Sequence, residues 1–398
     1  MADDHATSSP GVEPLVFVGG LWLTAKLARY SFPALFPTLE VSLSVSNGEL
    51  GVAYTAMLLV YALVQFPSGA LADALDDVRV IATGAATAAA GAVVLLLPTS
   101  YALLVAGMLL VGLGTGVHKT VAVGLLARLY PSRTGRALGV FDTLGTIGGV
   151  VAPPAVVFAL SSAGWQAHFA VVGGVVALLT VGLLARVPRA NAGVQASVSD
   201  LRDRLAVRPY LGPFRDRGFL LFVAVTLCFS FAYNGVVAFL PTYLVERGLS
   251  EPTAALLYSG LFAVSVVQVV TGGLSDRLGR LPLVVGVLTL ATGALVGLVT
   301  AGGTLLPLGV ATLLLGVGSH GFRPVRAAYL SAAIPDEIAG GGLGLVRTLL
   351  MGVGAVAPAT VGIVADATSF RVAFSVLAGT MALAAGFALL TALYRRGE

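Results

Sequence analysis

Two lysines and four arginines of this chain lie inside stretches that are otherwise apolar: Lys26, Arg29, Lys119, Arg323, Arg326 and Arg347. One acid, Asp142, shares such surroundings. An ionisable group at hydrocarbon depth costs roughly 2.5–3.5 kcal/mol on insertion scales, so it marks a solute or ion path by default. The lopsided sign points to the kind of solute. Paired charges would cancel, whereas unmatched cations call for water or an anion. Arginine can grip a carboxylate, phosphate or nitrate through two parallel hydrogen bonds, and lysine serves as a point charge. The chemistry read from these residues is binding.

The elements that carry them must span a membrane. Of 398 residues, 57% are hydrophobic and 11% charged, against about 25% charged in soluble domains. Apolar runs of roughly 18–25 residues recur along the chain, each long enough to cross a ~30 Å hydrocarbon core. The 50 glycines suit helices that approach closely in a bilayer. The class is therefore an all-α polytopic membrane protein, with the lipid bilayer as one partner. Twelve spans are predicted, at 15–37, 48–69, 79–97, 101–126, 137–160, 166–186, 218–241, 252–272, 281–300, 304–330, 341–364 and 370–393.

The longest polar stretch, Arg186 to Gly218, cuts the chain near its middle. It separates an N-terminal six-helix bundle, 15–186, from a C-terminal one, 218–393, with 187–217 as a central cytoplasmic loop. Residues 1–14 read as a disordered cytoplasmic tail without the basic start of a signal peptide, and 394–398 as a second tail. Loop charges orient the bundle. With both termini cytoplasmic, fifteen arginines fall on the cytoplasmic side and only Arg247 and Arg371 on the other. The expected location is the plasma membrane.

The net charge of +4 has this topological reading, and no basic patch interleaved with aromatics argues for nucleic acid. A single cysteine, Cys228, gives neither a disulfide framework nor a cysteine metal site. His118 and His320, far apart in sequence and without nearby acids, make no metal site either. The run VGLGTG at Val111 lacks the preceding strand of a phosphate loop. No cofactor is expected.

Depth ranks the candidate contacts. At 1.5 Å per residue, Lys26 lies about 16 Å and Arg29 about 21 Å into the first span, bracketing its midplane. Three residues apart, they share one face. They are the leading substrate contacts, with Tyr30 and Gln65 as neutral donors. Lys119 and Arg323 lie nearer the cytoplasm, with Arg326 one turn beyond. His118 and His320 are candidate proton carriers because imidazole titrates near neutrality, and Asp142 is the lone acid beside them. Pro33, Pro37, Pro153, Pro154, Pro241, Pro324 and Pro358 are expected to interrupt their spans.

An internal repeat recurs at an offset of about 204 residues. GVFDTLGTIGGVVAPP from Gly139 aligns with GLVRTLLMGVGAVAPA from Gly344, which sets Asp142 opposite Arg347. Lys119 falls opposite Arg323, Gln65 opposite Gln268, and GALADALDDVR from Gly69 opposite GGLSDRLGRLP from Gly272. Gln65, Gln268, Lys119 and Arg323 thereby join the substrate-binding set. Two parallel halves marked at the same interior positions indicate a pseudo-symmetric transporter. Charge reversal at Asp142 and Arg347 suggests a pair across the halves that forms when the cytoplasmic mouth closes.

The pattern Gly272, Leu274, Asp276, Arg277, Gly279, Arg280, after the second span of its half, resembles the signature of the major facilitator superfamily. The first copy keeps Gly69, Leu71, Asp73 and Arg79. It has Ala74, Asp76 and Asp77 where an arginine, a glycine and a basic residue are expected. The resemblance implies the twelve-helix, two-bundle fold and alternating access about a central site. It also implies a cytoplasmic gate of Gly69, Asp73, Arg79, Gly272, Asp276, Arg277 and Arg280, to which the repeat adds the pair Asp142 and Arg347. The basic interior resembles the anion-handling branches of that superfamily.

The expectation is a secondary transporter of a small anionic solute, proton-coupled or exchange-driven, functional as a monomer. A polyspecific efflux pump of the same superfamily is the alternative. An intramembrane enzyme would want a Ser/His pair, an Asp pair or a metal motif, and a sensor a soluble signalling domain; with Asp142 the lone embedded acid, the histidines scattered and the central loop short, both are remote alternatives.

Overall fold

The computed structural model describes residues 11–97, 100–187, 208–335 and 339–396. The described residues form helices joined by short turns, with no strand among them. In chain order the helices are α1 Glu13–Leu43, α2 Asn47–Leu75, α3 Asp77–Val94, α4 Tyr101–Leu129, α5 Thr134–Ser162 and α6 Trp165–Arg186. After the central segment come α7 Arg217–Glu246, α8 Glu251–Ala263, α9 Val267–Leu278, α10 Arg280–Thr300, α11 Leu305–Ala333, α12 Ala339–Ala367 and α13 Phe370–Tyr394. Residues 1–10 and 397–398 of the expected tails and most of the expected central loop lie outside the described residues, whereas Glu13 and Pro14, expected in the first tail, already belong to α1.

Sharp starts are set by side chains that accept orphan backbone N–H groups. Ser46 and Glu49 form a reciprocal capping box at α2, and Ser100, Asp216, Ser250 and Ser369 cap α4, α7, α8 and α13. Eleven helical segments among the described residues are long and apolar enough to cross a membrane. The expected first span, α1, is not one of them, because Lys26, Arg29 and the polar residues around them interrupt its apolar run. Packing rescues it: Trp22, Phe32 and Phe36 are fully buried.

Helices α1–α6 pack into one half and α7–α13 into the other. The halves meet where α2 packs on α12, α5 on α8 and α1 on α7. The prolines do not interrupt their helices as expected: α1, α5, α7, α11 and α12 run on through them. In a packed bundle, neighbouring helices and local adjustments satisfy the backbone groups a proline frees. The break falls instead at Val264–Val266, a 3-10 turn between α8 and α9, where the Leu261 carbonyl and Val264 meet Gly316 of α11.

The two ends of the bundle differ. At one end the halves are sealed. A Cβ at Gly51 of α2 would collide with the Pro358 carbonyl of α12, so only glycine permits that approach. The Asp366 carboxylate accepts the backbone N–H groups of Gly48 (2.7 Å) and Asn47 (3.2 Å), and Thr55 Oγ1 accepts that of Ala359 (3.0 Å). Toward the opposite end, which carries residue 13 and the last turn of α13, the halves part. Among the described residues, no hydrogen bond or ion pair joins them nearer that end than Gln65 with Arg347 and Met351.

The gate motif lies at this open end. Asp276, Arg277 and Arg280 are exposed, Arg79 is exposed on α3, and a Cβ at Gly272 would meet nothing within 4 Å. The close helix approach expected of Gly69 and Gly272 is thus absent in this state: Gly69 faces only the Thr120 methyl group, 3.6 Å from where its Cβ would be. The side chain of Asp73 is outside what the structure describes.

Backbone geometry explains the motif's glycine. Gly279 has φ +84°, a conformation side chains resist. Its repeat counterpart is Asp76, held at φ +145°. The Asp76 carboxylate offsets part of that strain by capping the Arg79 N–H (3.2 Å). Asp77, which replaces the expected base, is buried against Arg128 at the end of α4. A non-glycine residue in a sparsely populated region costs of order 1–3 kcal/mol, while trading an aspartate cap for glycine loses only a few tenths. Asp76→Gly is therefore expected to raise stability by roughly 1 kcal/mol, read as a higher melting temperature of the detergent-solubilised protein. A lower one would show that the side chain matters more than the strain.

Candidate functional site

A cavity of about 610 Å³ lies between the halves, walled by α1, α2, α4 and α5 on one side and α7, α8, α9, α11 and α12 on the other. All six embedded bases reach it: Lys26, Arg29, Lys119, Arg323, Arg326 and Arg347. Asp142 lines the same wall and pairs with Lys119 at 3.0 Å. The Asp142 side chain is 61% exposed, so the cavity is wet at that level. Among the described residues, none of the other five bases meets a carboxylate within ion-pair distance.

Aromatic faces hold the cations instead. Lys26 Nζ lies 5.1 Å from the Trp22 ring centroid and 5.0 Å from that of Tyr30, and it donates to the Tyr30 hydroxyl at 3.1 Å. The Arg29 guanidinium stacks 3.8 Å above Tyr61, and Arg323 lies 4.7 Å from the Tyr233 centroid. Lys119 Nζ shares Trp22, at 5.4 Å. A cation over a ring gains roughly 0.5–2 kcal/mol, depending on desolvation. Such contact steadies the charge without cancelling it and leaves in-plane N–H donors free. Arg29 is 5% exposed, and its Nε has no partner. His320 is buried at the cavity wall, and neither ring nitrogen makes a well-formed hydrogen bond.

Helix periodicity delivers these groups together. Trp22, Lys26 and Tyr30 fall at i, i+4 and i+8 on α1, one stripe facing the cavity, and Tyr54 and Tyr61 share a face of α2. Gln268 reaches the wall just after the break between α8 and α9. The aromatic partners Trp22, Tyr61 and Tyr233 escaped the sequence reading. A spacing of four between Trp22, Lys26 and Tyr30 is the signal that would have found Trp22; Tyr61 and Tyr233 carry no such signal.

Other expected site residues have different places. Gln65 is buried away from the cavity: its carbonyl accepts from Arg347 (3.0 Å), and its amide faces Met351 Sδ (3.2 Å). It fixes the orientation of Arg347 and tethers α2 to α12. His118 lies behind Trp22, stacked with it at 6.1 Å, and bonds the Val18 carbonyl at 2.9 Å. Buried there, it does not line the cavity. Asp142 and Arg347 are apart in this state, each held by another partner. No group of three or more His, Cys, Asp or Glu residues that could hold a metal occurs among the described residues.

Comparisons with known proteins agree with this geometry. The "Probable sulfoacetate transporter" of Cupriavidus necator is 26% identical over 302 residues, covering 71% of this chain and 68% of that protein. The "Fosmidomycin resistance protein" of Escherichia coli is 24% identical, over 87% of this chain and 84% of its own. Among solved structures, a bacterial homolog of the human lysosomal transporter Spinster, in an inward-facing and unoccupied conformation, superposes with a TM-score of 0.81. It is 16% identical and covers 95% of this chain and 96% of that one. A family profile described as Major Facilitator Superfamily matches residues 21–315 and 261–398. Helix arrangement, central cavity and sequence profile coincide: the chain is a transporter that belongs to the Major Facilitator Superfamily.

Proposed function

We propose that the protein carries a small anionic solute across the plasma membrane by alternating access, with both termini in the cytoplasm and a single chain as the working unit. The observation that carries this reading is the cavity wall: six bases, one acid, and cations resting on aromatic rings. An anion entering the cavity replaces lost hydration with N–H donors that are already positioned. The present state, sealed at one end and wet at the other, is the cytoplasm-open member of the cycle. Closure of the cytoplasmic end exchanges partners, bringing Asp142 and Arg347 together across the halves. The sulfoacetate and anion transporters among the relatives support an organic sulfonate or carboxylate as cargo. The relative named for fosmidomycin resistance supports a second reading, export rather than uptake.

Asp142 is the proposed coupling group, since it is the carboxylate that lines the wet wall and its proton would release Lys119. Proteoliposomes tested with sulfoacetate, acetate and nitrate, with and without an inward pH gradient, check both parts. Lys26→Ala is expected to lower uptake at least tenfold. Asp142→Asn is expected to abolish the response to the gradient while leaving exchange of labelled for unlabelled solute. If no anion moves in the unaltered protein, or if neutral solutes move equally well, the anionic cargo is wrong. A gradient response that survives in Asp142→Asn moves coupling to another group.

A further inference from the structure

The positive groups of the cavity come from both halves. Lys26 and Arg29 belong to α1 and are cushioned by Trp22, Tyr30 and Tyr61, all from the first half. Arg323 and Arg326 belong to α11 and rest on Tyr233 and Phe322, both from the second half. Arg347, on α12, adds a third cation to that side, oriented by Gln65. Lys119 is already matched by Asp142. Each half thus presents its own unneutralised cationic face to a shared space of about 610 Å³. Each face also keeps unused hydrogen-bonding capacity: the Arg29 Nε on one side, the His320 ring on the other.

A lone monoanion brings one charge to five bases without a carboxylate partner and leaves most of that positive charge uncompensated. We infer that the cargo carries two anionic groups on a short skeleton, one engaged by the Lys26–Arg29 pair and the other by the Arg323–Arg326–Arg347 set. The inference rests on the proposed reading of the cavity as an anion site and narrows it to dianions. It also supplies a reason for closure. A ligand with an anchor in each half draws the halves together, whereas one anchored in a single half binds without favouring the closed state, since only differential affinity shifts a conformational equilibrium.

The test is ligand binding to the full chain in detergent at fixed ionic strength, followed calorimetrically and by thermal stabilisation. Acetate and methanesulfonate are compared with malonate, succinate and methanedisulfonate. Dianions are expected to bind at least tenfold more tightly than monoanions of the same acid group. Arg29→Gln and Arg323→Gln should each bring dianion affinity down to the monoanion level, with acetate affinity changed less than threefold. Variants are compared where elution matches and the melting temperature is no lower than that of the unaltered protein; Arg29→Lys and Arg323→Lys, which keep the charge, should retain part of the dianion preference. Equal affinity for acetate and succinate, with both weakened by Arg29→Gln, would overturn the two-group inference and leave the anion site standing. Binding of none of the five probes would overturn both.

Discussion

Arg29→Gln is expected to reduce dianion affinity by about 10- to 100-fold, the equivalent of losing one charge-assisted hydrogen-bonding group worth roughly 1.5–3 kcal/mol. The same substitution is expected to leave the unliganded protein at least as stable as before. These two effects separate because of how Arg29 is held. Its guanidinium is buried, stacked on Tyr61 at 3.8 Å, and has no carboxylate partner among the described residues. A buried cation without a counter-ion opposes folding through desolvation, so glutamine removes a liability while it removes the anion's grip. A binding residue that destabilises its own fold is the usual mark of function over stability. Thermal unfolding with and without saturating anion reads both at once. The ligand-dependent rise should vanish while the ligand-free midpoint holds or climbs. A falling ligand-free midpoint with the ligand-dependent rise intact would make Arg29 a structural residue and remove the main contact from the site.

Much of this was legible in the sequence because the bilayer leaves few choices. A base at hydrocarbon depth must either reach the surface or line an aqueous space, so the chain itself singled out Lys26, Arg29, Lys119, Arg323, Arg326 and Arg347. The repeat placed Lys119 opposite Arg323, and both line the cavity. What stayed hidden was what holds each group. Tyr61 and Tyr233 resemble any other aromatic of a span until their rings are seen under guanidinium groups. Gln65 has the composition of a substrate donor, but its amide is taken up by Arg347 and Met351, a pairing between residues 282 and 286 positions away. His118 lies one residue from Lys119 and so points about 100° away around the helix, into the packing of α1 rather than into water. The break at Val264–Val266 left no trace in hydropathy, since it is set by the close passage of α11.

Asp366→Ala is expected to shift the protein toward a state open at the end that is sealed here. The carboxylate at the end of α12 accepts two backbone N–H groups at the start of α2, so one side chain of the second half caps a helix of the first. Both the hydrogen bonds and the positive end of the helix favour a carboxylate there. Losing them costs the seal about 1–2 kcal/mol, a 5- to 30-fold change in the ratio of two conformations. The fold itself should survive, because α2 keeps its own capping box of Ser46 and Glu49. The seal is weakened rather than lost, since Thr55 still accepts the Ala359 N–H and Gly51 still packs on Pro358. Cys228 is the single cysteine of the chain, so Cys228→Ser gives a background for spin labels at Val41 and Thr368, one in each half near the sealed end. Asp366→Ala should move the distance distribution to longer separations. Asp276→Ala, at the open end, removes an exposed side chain that makes no hydrogen bond or ion pair between the halves among the described residues and should not widen the sealed end. If the two variants give the same distribution as the unsubstituted background, the Asp366 contact does not hold the end shut, and the seal resides in the glycine-mediated packing of α2 against α12.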